Sequence, residues 1–126
     1  MKYLTWDEFD LAVDRIAEMA QGLSLTGVCG LPRGGLPLAV SLSHRLALPL
    51  LHSPQTDCLL VDDVYETGQT LEPFRTVPAL TAVWVSKVTP TWWKAAQVST
   101  DPEWLVFPWE NPVNANTDQE AYHASR

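Results

Sequence analysis

The sequence is short of cysteine, of basic residues and of long apolar runs, and each shortage excludes a class of protein. Two cysteines, Cys29 and Cys58, are too few for a disulfide framework. Both sit inside apolar stretches and read as buried thiols of a reducing compartment. The three histidines, His44, His52 and His123, show no zinc spacing. Lysine and arginine number 8 against 15 aspartates and glutamates, a net charge of −7. That balance argues against a surface tracking a nucleic-acid backbone, though a few backbone amides suffice to hold a small phosphorylated ligand. No apolar run approaches the roughly 20 residues of a membrane span, and no basic-apolar-small leader opens the chain. A soluble, cytoplasmic protein is expected, with neither nucleic acid nor membrane as partner. What is present is a globular balance, 46% hydrophobic and 18% charged over 126 residues. That suits one domain with its own core.

Residues 5–21 read as a helix. Thr5 and Glu8 form a capping box, Phe9, Ala12, Val13, Ile16, Ala17 and Ala20 recur at helical spacing, and Gly22 stops it. A buried strand follows over 25–31 and is broken by Pro-Arg-Gly-Gly at 32–35. The spacing predicts a second helix over 36–47, with Leu36, Ala39, Val40, Leu42 and Leu46 inward. Strands are expected over 48–52, 58–63 and 80–87, a loop over 64–70, and a short helix over 71–77 with Pro73 in its first turn. Strands alternating with helices in this way point to an α/β fold with a doubly wound parallel sheet. Residues 88–110 are rich in tryptophan and proline, with extended pieces over 94–99 and 104–107. Five of the six tryptophans fall between 84 and 109. The tail, 111–126, is polar and without periodicity, and is expected to be flexible.

Ligands of an open parallel sheet bind at the carboxyl ends of its strands. Three segments fall at such ends: 32–35, 61–70 and Lys87. In the second, an apolar strand delivers Asp62 and Asp63, and a loop with Thr67, Gly68 and Thr70 follows. Glycine lets an anion approach the backbone, hydroxyls donate to it, and a following helix start adds partial positive charge. This is a phosphate cradle beside two carboxylates able to hold ribose hydroxyls or Mg²⁺. The plain alternative is a strand–turn–helix corner whose acids face water.

The segment 61–70 closely resembles the 5-phosphoribosyl-1-pyrophosphate (PRPP) motif of type I phosphoribosyltransferases, matching at Asp62, Asp63, Val64, Thr67, Gly68 and Thr70. Glu66 stands where that family usually has Asp. The chain is most similar to the xanthine/hypoxanthine-guanine members. Thr5-Trp6-Asp7 resembles their start of the first helix, Pro32-Arg33-Gly34-Gly35-Leu36 their pyrophosphate loop, and Lys87 their purine-reading lysine. Trp104 to Glu110 resembles their hood segment, so that 1–110 is one domain with 88–110 as its hood.

The resemblance implies pyrophosphate on Arg33, Gly34 and Gly35, with a cis peptide at Pro32–Arg33, and the 5′-phosphate on Glu66, Thr67, Gly68, Gln69 and Thr70. It implies Asp62 and Asp63 on the ribose hydroxyls, directly or through Mg²⁺, and Glu66 as acceptor of the purine N7 proton. Lys87 would read the 6-oxo group, Trp104 would stack on the base, the Leu105 backbone would read its edge, and Glu110 would close that wall. The family's long mobile lid belongs between the strands at 48–52 and 58–63, where only residues 53–57 remain. An open, slow enzyme, a cover from a partner subunit or from the tail, and a non-catalytic or weakly catalytic nucleotide- or PRPP-binding regulatory module are the alternatives. The implied partners are PRPP, an oxopurine and a nucleoside monophosphate. The aromatic content exceeds what a small monomer tolerates at its surface, so a homodimer or homotetramer is expected.

Overall fold

The structure, a computed structural model, describes residues 1–125. Its elements are β1 (Lys2–Tyr3), α1 (Trp6–Met19), β2 (Val28–Gly30), α2 (Leu36–Leu46), β3 (Leu50–Leu51), β4 (Leu59–Tyr65), β5 (Leu80–Ser86), β6 (Lys94–Val98), β7 (Leu105–Val106) and α3 (Ala115–Ser125).

The capping box forms as the sequence requires. The Thr5 hydroxyl accepts from the Glu8 amide at 3.1 Å and the Glu8 carboxylate accepts from the Thr5 amide at 3.2 Å. All six apolar residues expected on the inner face of α1 are buried. In α2, Ala39 and Leu42 are buried as expected, but Leu36 and Val40 are exposed and Leu38 is buried in their stead. The helix begins at Leu36, and Gly35 at its cap sits against the backbone of Leu31 and Val61. That contact turns the Leu38–Leu42 stripe inward, and a period count blind to where the helix docks misplaces the face by about one residue.

Five strands form a parallel sheet in the order β3-β2-β4-β5-β6. The chain winds one way from β2 through α2 to β3, then crosses to β4 and continues outward to β6. The doubly wound expectation therefore holds, and the order reverses between β2 and β4, where such sheets bind ligands. Strand alternation divides the core. Leu59, Val61, Ala82 and Trp84 pack with α1 and α2, while Leu60, Val83, Cys29 and Cys58 pack on the other face with Tyr65, Leu71 and Trp93. Burial pushes both thiols up. The tryptophans at 84 and 93 are packing residues: Trp84 meets Phe9, Phe107 and Trp109, and Trp93 stacks on Tyr65 at 3.6 Å between ring centroids.

A small parallel pair, β1 with β7, ties the N-terminus to the segment after β6. The Lys2 amide donates to the Trp104 carbonyl and the Leu4 amide to the Val106 carbonyl, each at 2.9 Å.

Three further expectations need correction. Strand β4 runs two residues beyond Asp63, because Val64 and Tyr65 still pair with Val85 and Ser86. The helix expected over 71–77 shrinks to one 3₁₀ turn, Glu72–Phe74; Pro73 offers no amide and Pro78 follows closely. The tail given no regular structure forms a 3₁₀ turn, Pro112–Asn114, and then α3. Its last residue, Arg126, lies outside the described residues. No helix among the described residues is long and apolar enough to cross a membrane.

Candidate active site

Strand register places the three suggestive segments side by side. Gly30 of β2 pairs with Val61 of β4, and the Leu31 amide donates to the Val61 carbonyl at 3.1 Å. The turn at 32–35 therefore leaves the sheet beside Asp62 and Asp63. On the other side Ser86 pairs with Tyr65, and the Lys87 amide donates to the Tyr65 carbonyl at 2.8 Å. Lys87 thus emerges beside Glu66. The Pro32–Arg33 peptide is cis.

Of the acid pair, Asp62 is buried and Asp63 is half-buried. Asp62 is 7% exposed; its carboxylate accepts from the Asp63 amide at 2.9 Å and, at 3.5 Å, from the Thr70 hydroxyl. Loss of water, and then the charge of Asp63, push its pKa from the ordinary carboxylate range up to about 8. Asp63 accepts from the Val64 amide at 2.8 Å, and burial raises it too. Its carboxylate lies flat against Gly34, where a Cβ would overlap it.

Three cavities adjoin here. One of about 170 Å³ is walled by Asp63, Glu66, Lys87, Trp104, Phe107 and Tyr122. That is well above the roughly 10–15 Å³ a single water needs and leaves room for a planar base. A second, of about 450 Å³, lies between Arg33, Gly34, Asp63, Glu110 and Asp118. The third, about 40 Å³, is the hollow of the loop 64–70. There the Thr67 hydroxyl accepts from the Gln69 amide at 3.4 Å, and Gly68 takes φ +82°, where a Cβ would overlap the Tyr65 hydroxyl. Only a 3₁₀ turn follows this loop, so an anion in it is held by amides and hydroxyls, with little from a helix dipole.

Every side chain singled out in the sequence lies at this end of the sheet, though several have structural partners there. The Lys87 ammonium donates to the carbonyls of Asp101 and Glu103 at 2.6 and 2.7 Å. An ammonium has three protons, so one remains for a ligand in the cavity. Glu110 accepts from the Phe107 amide at 2.8 Å and is raised chiefly by burial. Leu105, on β7, lines the base-sized cavity. Trp104 is in ring contact with Tyr122 at 5.2 Å and His123 at 5.9 Å.

Sequence reasoning missed Asn114, Asp118, Tyr122 and His123. One signal was available: Asn111-Pro112 is a helix-start pair, and the Asn111 side chain accepts from the Val113 amide at 3.0 Å.

The sequence matches no protein-family model and no curated protein. The structure is similar to that of a purine phosphoribosyltransferase from Pyrococcus horikoshii, with 30% identity, a TM-score of 0.71, and coverage of 87% of this chain and 94% of that one. It is also similar in fold to the xanthine-guanine-hypoxanthine phosphoribosyltransferase of Helicobacter pylori (19% identity, TM-score 0.66, 93% and 98% covered). A hypothetical protein from Neisseria gonorrhoeae with bound ppGpp shares the fold as well (16%, 0.67, 99% and 98%). The similarity to the Pyrococcus enzyme covers nearly the whole of that chain. The chain therefore belongs to the type I phosphoribosyltransferases, a family of enzymes.

Proposed function

We propose that the protein transfers the 5-phosphoribosyl group of PRPP to an oxopurine, releasing pyrophosphate. One observation carries the reading. Asp63 lines both the base-sized cavity and the Arg33 cavity, and Glu66 lines both the base-sized cavity and the phosphate-loop hollow. The ribose is the part of PRPP and its product that touches base, pyrophosphate and 5′-phosphate, so it belongs at the junction those two carboxylates mark.

Residue roles follow from that placement. The Arg33 guanidinium and the amides of 33–35 hold pyrophosphate, and the amides and hydroxyls of 66–70 hold the 5′-phosphate. As the C1–oxygen bond to pyrophosphate breaks, positive charge develops on the sugar, and the Asp63 carboxylate faces it. The base nitrogen bonds to C1, and Glu66 stands where the proton released from the base can be accepted. The remaining Lys87 proton suits an exocyclic oxygen, which favours oxopurines over adenine, and Trp104 offers a ring face to the base. The oxygen donors Asp62 and Asp63 fit Mg²⁺, a hard cation that offsets the repulsion within the pair. When bound, Mg²⁺ neutralises charge on the departing pyrophosphate.

The test is to incubate the protein with PRPP, Mg²⁺ and a mixture of purine and pyrimidine bases and to identify products by mass. Guanosine, xanthosine or inosine monophosphate is expected; a pyrimidine nucleotide would overturn the base assignment, and no nucleotide at all would overturn transfer. A second reading, a nucleotide- or PRPP-binding regulator, is favoured by the short β3–β4 connection, residues 52–58. It expects guanosine monophosphate to bind with no nucleotide formed. A homodimer or homotetramer is part of the first proposal, because Tyr3, Trp6, Leu11, Leu36 and Val40 are all exposed. Light scattering checks this, and a monomeric mass would remove it.

A further inference from the structure

We propose that α3 is the cover of this site and that Tyr122 is its latch, a positioning residue for Glu66. The inference rests on the transfer reading above and adds to it the means by which water is kept from the sugar.

The connection between β3 and β4 cannot do this. Parallel strands of one sheet require the chain to return from the carboxyl end of one strand to the amino end of the next. Hydrogen bonds show where that return runs. The Thr26 amide donates to the Asp57 carbonyl at 3.0 Å and the Thr26 hydroxyl to the Thr56 carbonyl at 3.1 Å. Thr26 precedes β2, so this segment is pinned at the end of the sheet opposite the acid pair.

The C-terminal segment crosses the site instead. Asn114 and Asp118 face the Arg33 cavity, Tyr122 faces both the base-sized cavity and the phosphate-loop hollow, and His123 faces the former. Ala115, Asp118 and Tyr122 lie at spacings of three and four, so they share one helical face. Ala115 is buried at its start. At the far end the Tyr122 hydroxyl donates to Glu66 Oε2 at 3.1 Å, while its ring leans on Trp104, 5.2 Å between centroids and tilted by 52°. That spacing leaves no room for a base between the two rings, so a base stacking on this face of Trp104 must displace Tyr122.

The rest of α3 is polar and largely exposed, so it opens at low cost compared with the sheet. A helix that opens to admit PRPP and base and closes again would exclude water while C1 carries positive charge. Two outcomes then compete after the C1–oxygen bond breaks. Attack by the base gives nucleotide and pyrophosphate, the base's proton passing to the acceptor. Attack by water gives ribose 5-phosphate and pyrophosphate, with one water consumed and its proton released.

The test compares the wild type with Tyr122→Phe and Tyr122→Ala, each given PRPP, Mg²⁺ and saturating base, and measures the ratio of ribose 5-phosphate to nucleotide. The ratio is expected to rise roughly three- to tenfold in Tyr122→Phe, the worth of one hydrogen bond, and further in Tyr122→Ala. An unchanged ratio in both, with nucleotide still formed, would overturn the cover. Amide hydrogen exchange over 115–125 in the unliganded proteins gives an arm independent of chemistry: faster exchange in Tyr122→Ala supports the latch, and unchanged exchange overturns it. Should the wild type form no nucleotide, the transfer reading fails by itself and the exchange arm still judges the latch.

Discussion

Alanine at position 34 is expected to lower phosphoribosyl transfer by about 100-fold or more and to leave the chain folded, since misplacing a reacting group by about 1 Å is worth that much. The reason is local. A Cβ on Gly34 would overlap the Asp63 carboxylate and nothing else as closely. A side chain yields before a backbone does, so Asp63 would rotate, lose its bond from the Val64 amide and leave the junction between cavities. Overpacking of this kind costs roughly 1–3 kcal/mol, a melting temperature several degrees lower. Gly35→Ala is the control. Its Cβ would lie 2.6–2.8 Å from backbone atoms of Val61 and Leu31, which cannot rotate away, so there the fold fails along with the chemistry. Circular dichroism, thermal melts and steady-state kinetics on the two variants separate the cases. A Gly34→Ala enzyme with near wild-type kcat/KM would show that Asp63 need not sit where it does.

That contrast also marks how much of the molecule was legible in the sequence. Elements whose pattern is set by neighbours in the chain were readable: the Thr5–Glu8 capping box, the apolar face of α1, and the apolar run broken at 32–35. The winding order follows from strands alternating with helices, and with it the meeting of the turn at 32–35, the acid pair and Lys87 at one end of the sheet. What depends on contacts far along the chain was not readable. The inward face of α2 is set by Gly35 packing on Leu31 and Val61, so Leu36 and Val40 were misassigned. Helix α3 has no apolar stripe because it covers a polar site, and a helix of that kind leaves no periodic signal. The capture of Lys87 by the carbonyls of Asp101 and Glu103 depends on where the segment after β6 folds back, which the β1–β7 pairing and the packing of Phe107 and Trp109 on Trp84 fix.

Replacing Asp62 by asparagine is expected to trade activity for stability. A buried carboxylate stands next to a half-buried one here, and Asp62 is raised to about 8 by loss of water and by Asp63. In the unfolded chain an aspartate titrates near 3.9. Between about pH 4 and 8 the folded state therefore holds more protons than the unfolded one, and stability falls as pH rises through that window. Asparagine keeps an oxygen to accept from the Asp63 amide, offers its own amide to the Thr70 hydroxyl and carries no charge. Asp62→Asn should thus melt about 5 °C above the wild type at pH 8, for roughly 1–2 kcal/mol, and no higher than the wild type at pH 4. Mg²⁺ with pyrophosphate should raise the wild-type melting temperature, because a ligand that binds only the folded state stabilises it, and should raise that of the variant less. Transfer should fall by about tenfold or more, since a charge that would hold the cation and the ribose is gone. Melts at pH 4 and 8 with and without Mg²⁺-pyrophosphate measure all of this. A variant less stable than the wild type at pH 8 would mean that the pair is already relieved within the fold. A more stable but slower variant would show that the paired acids are kept for the reaction, at the expense of the free protein's stability.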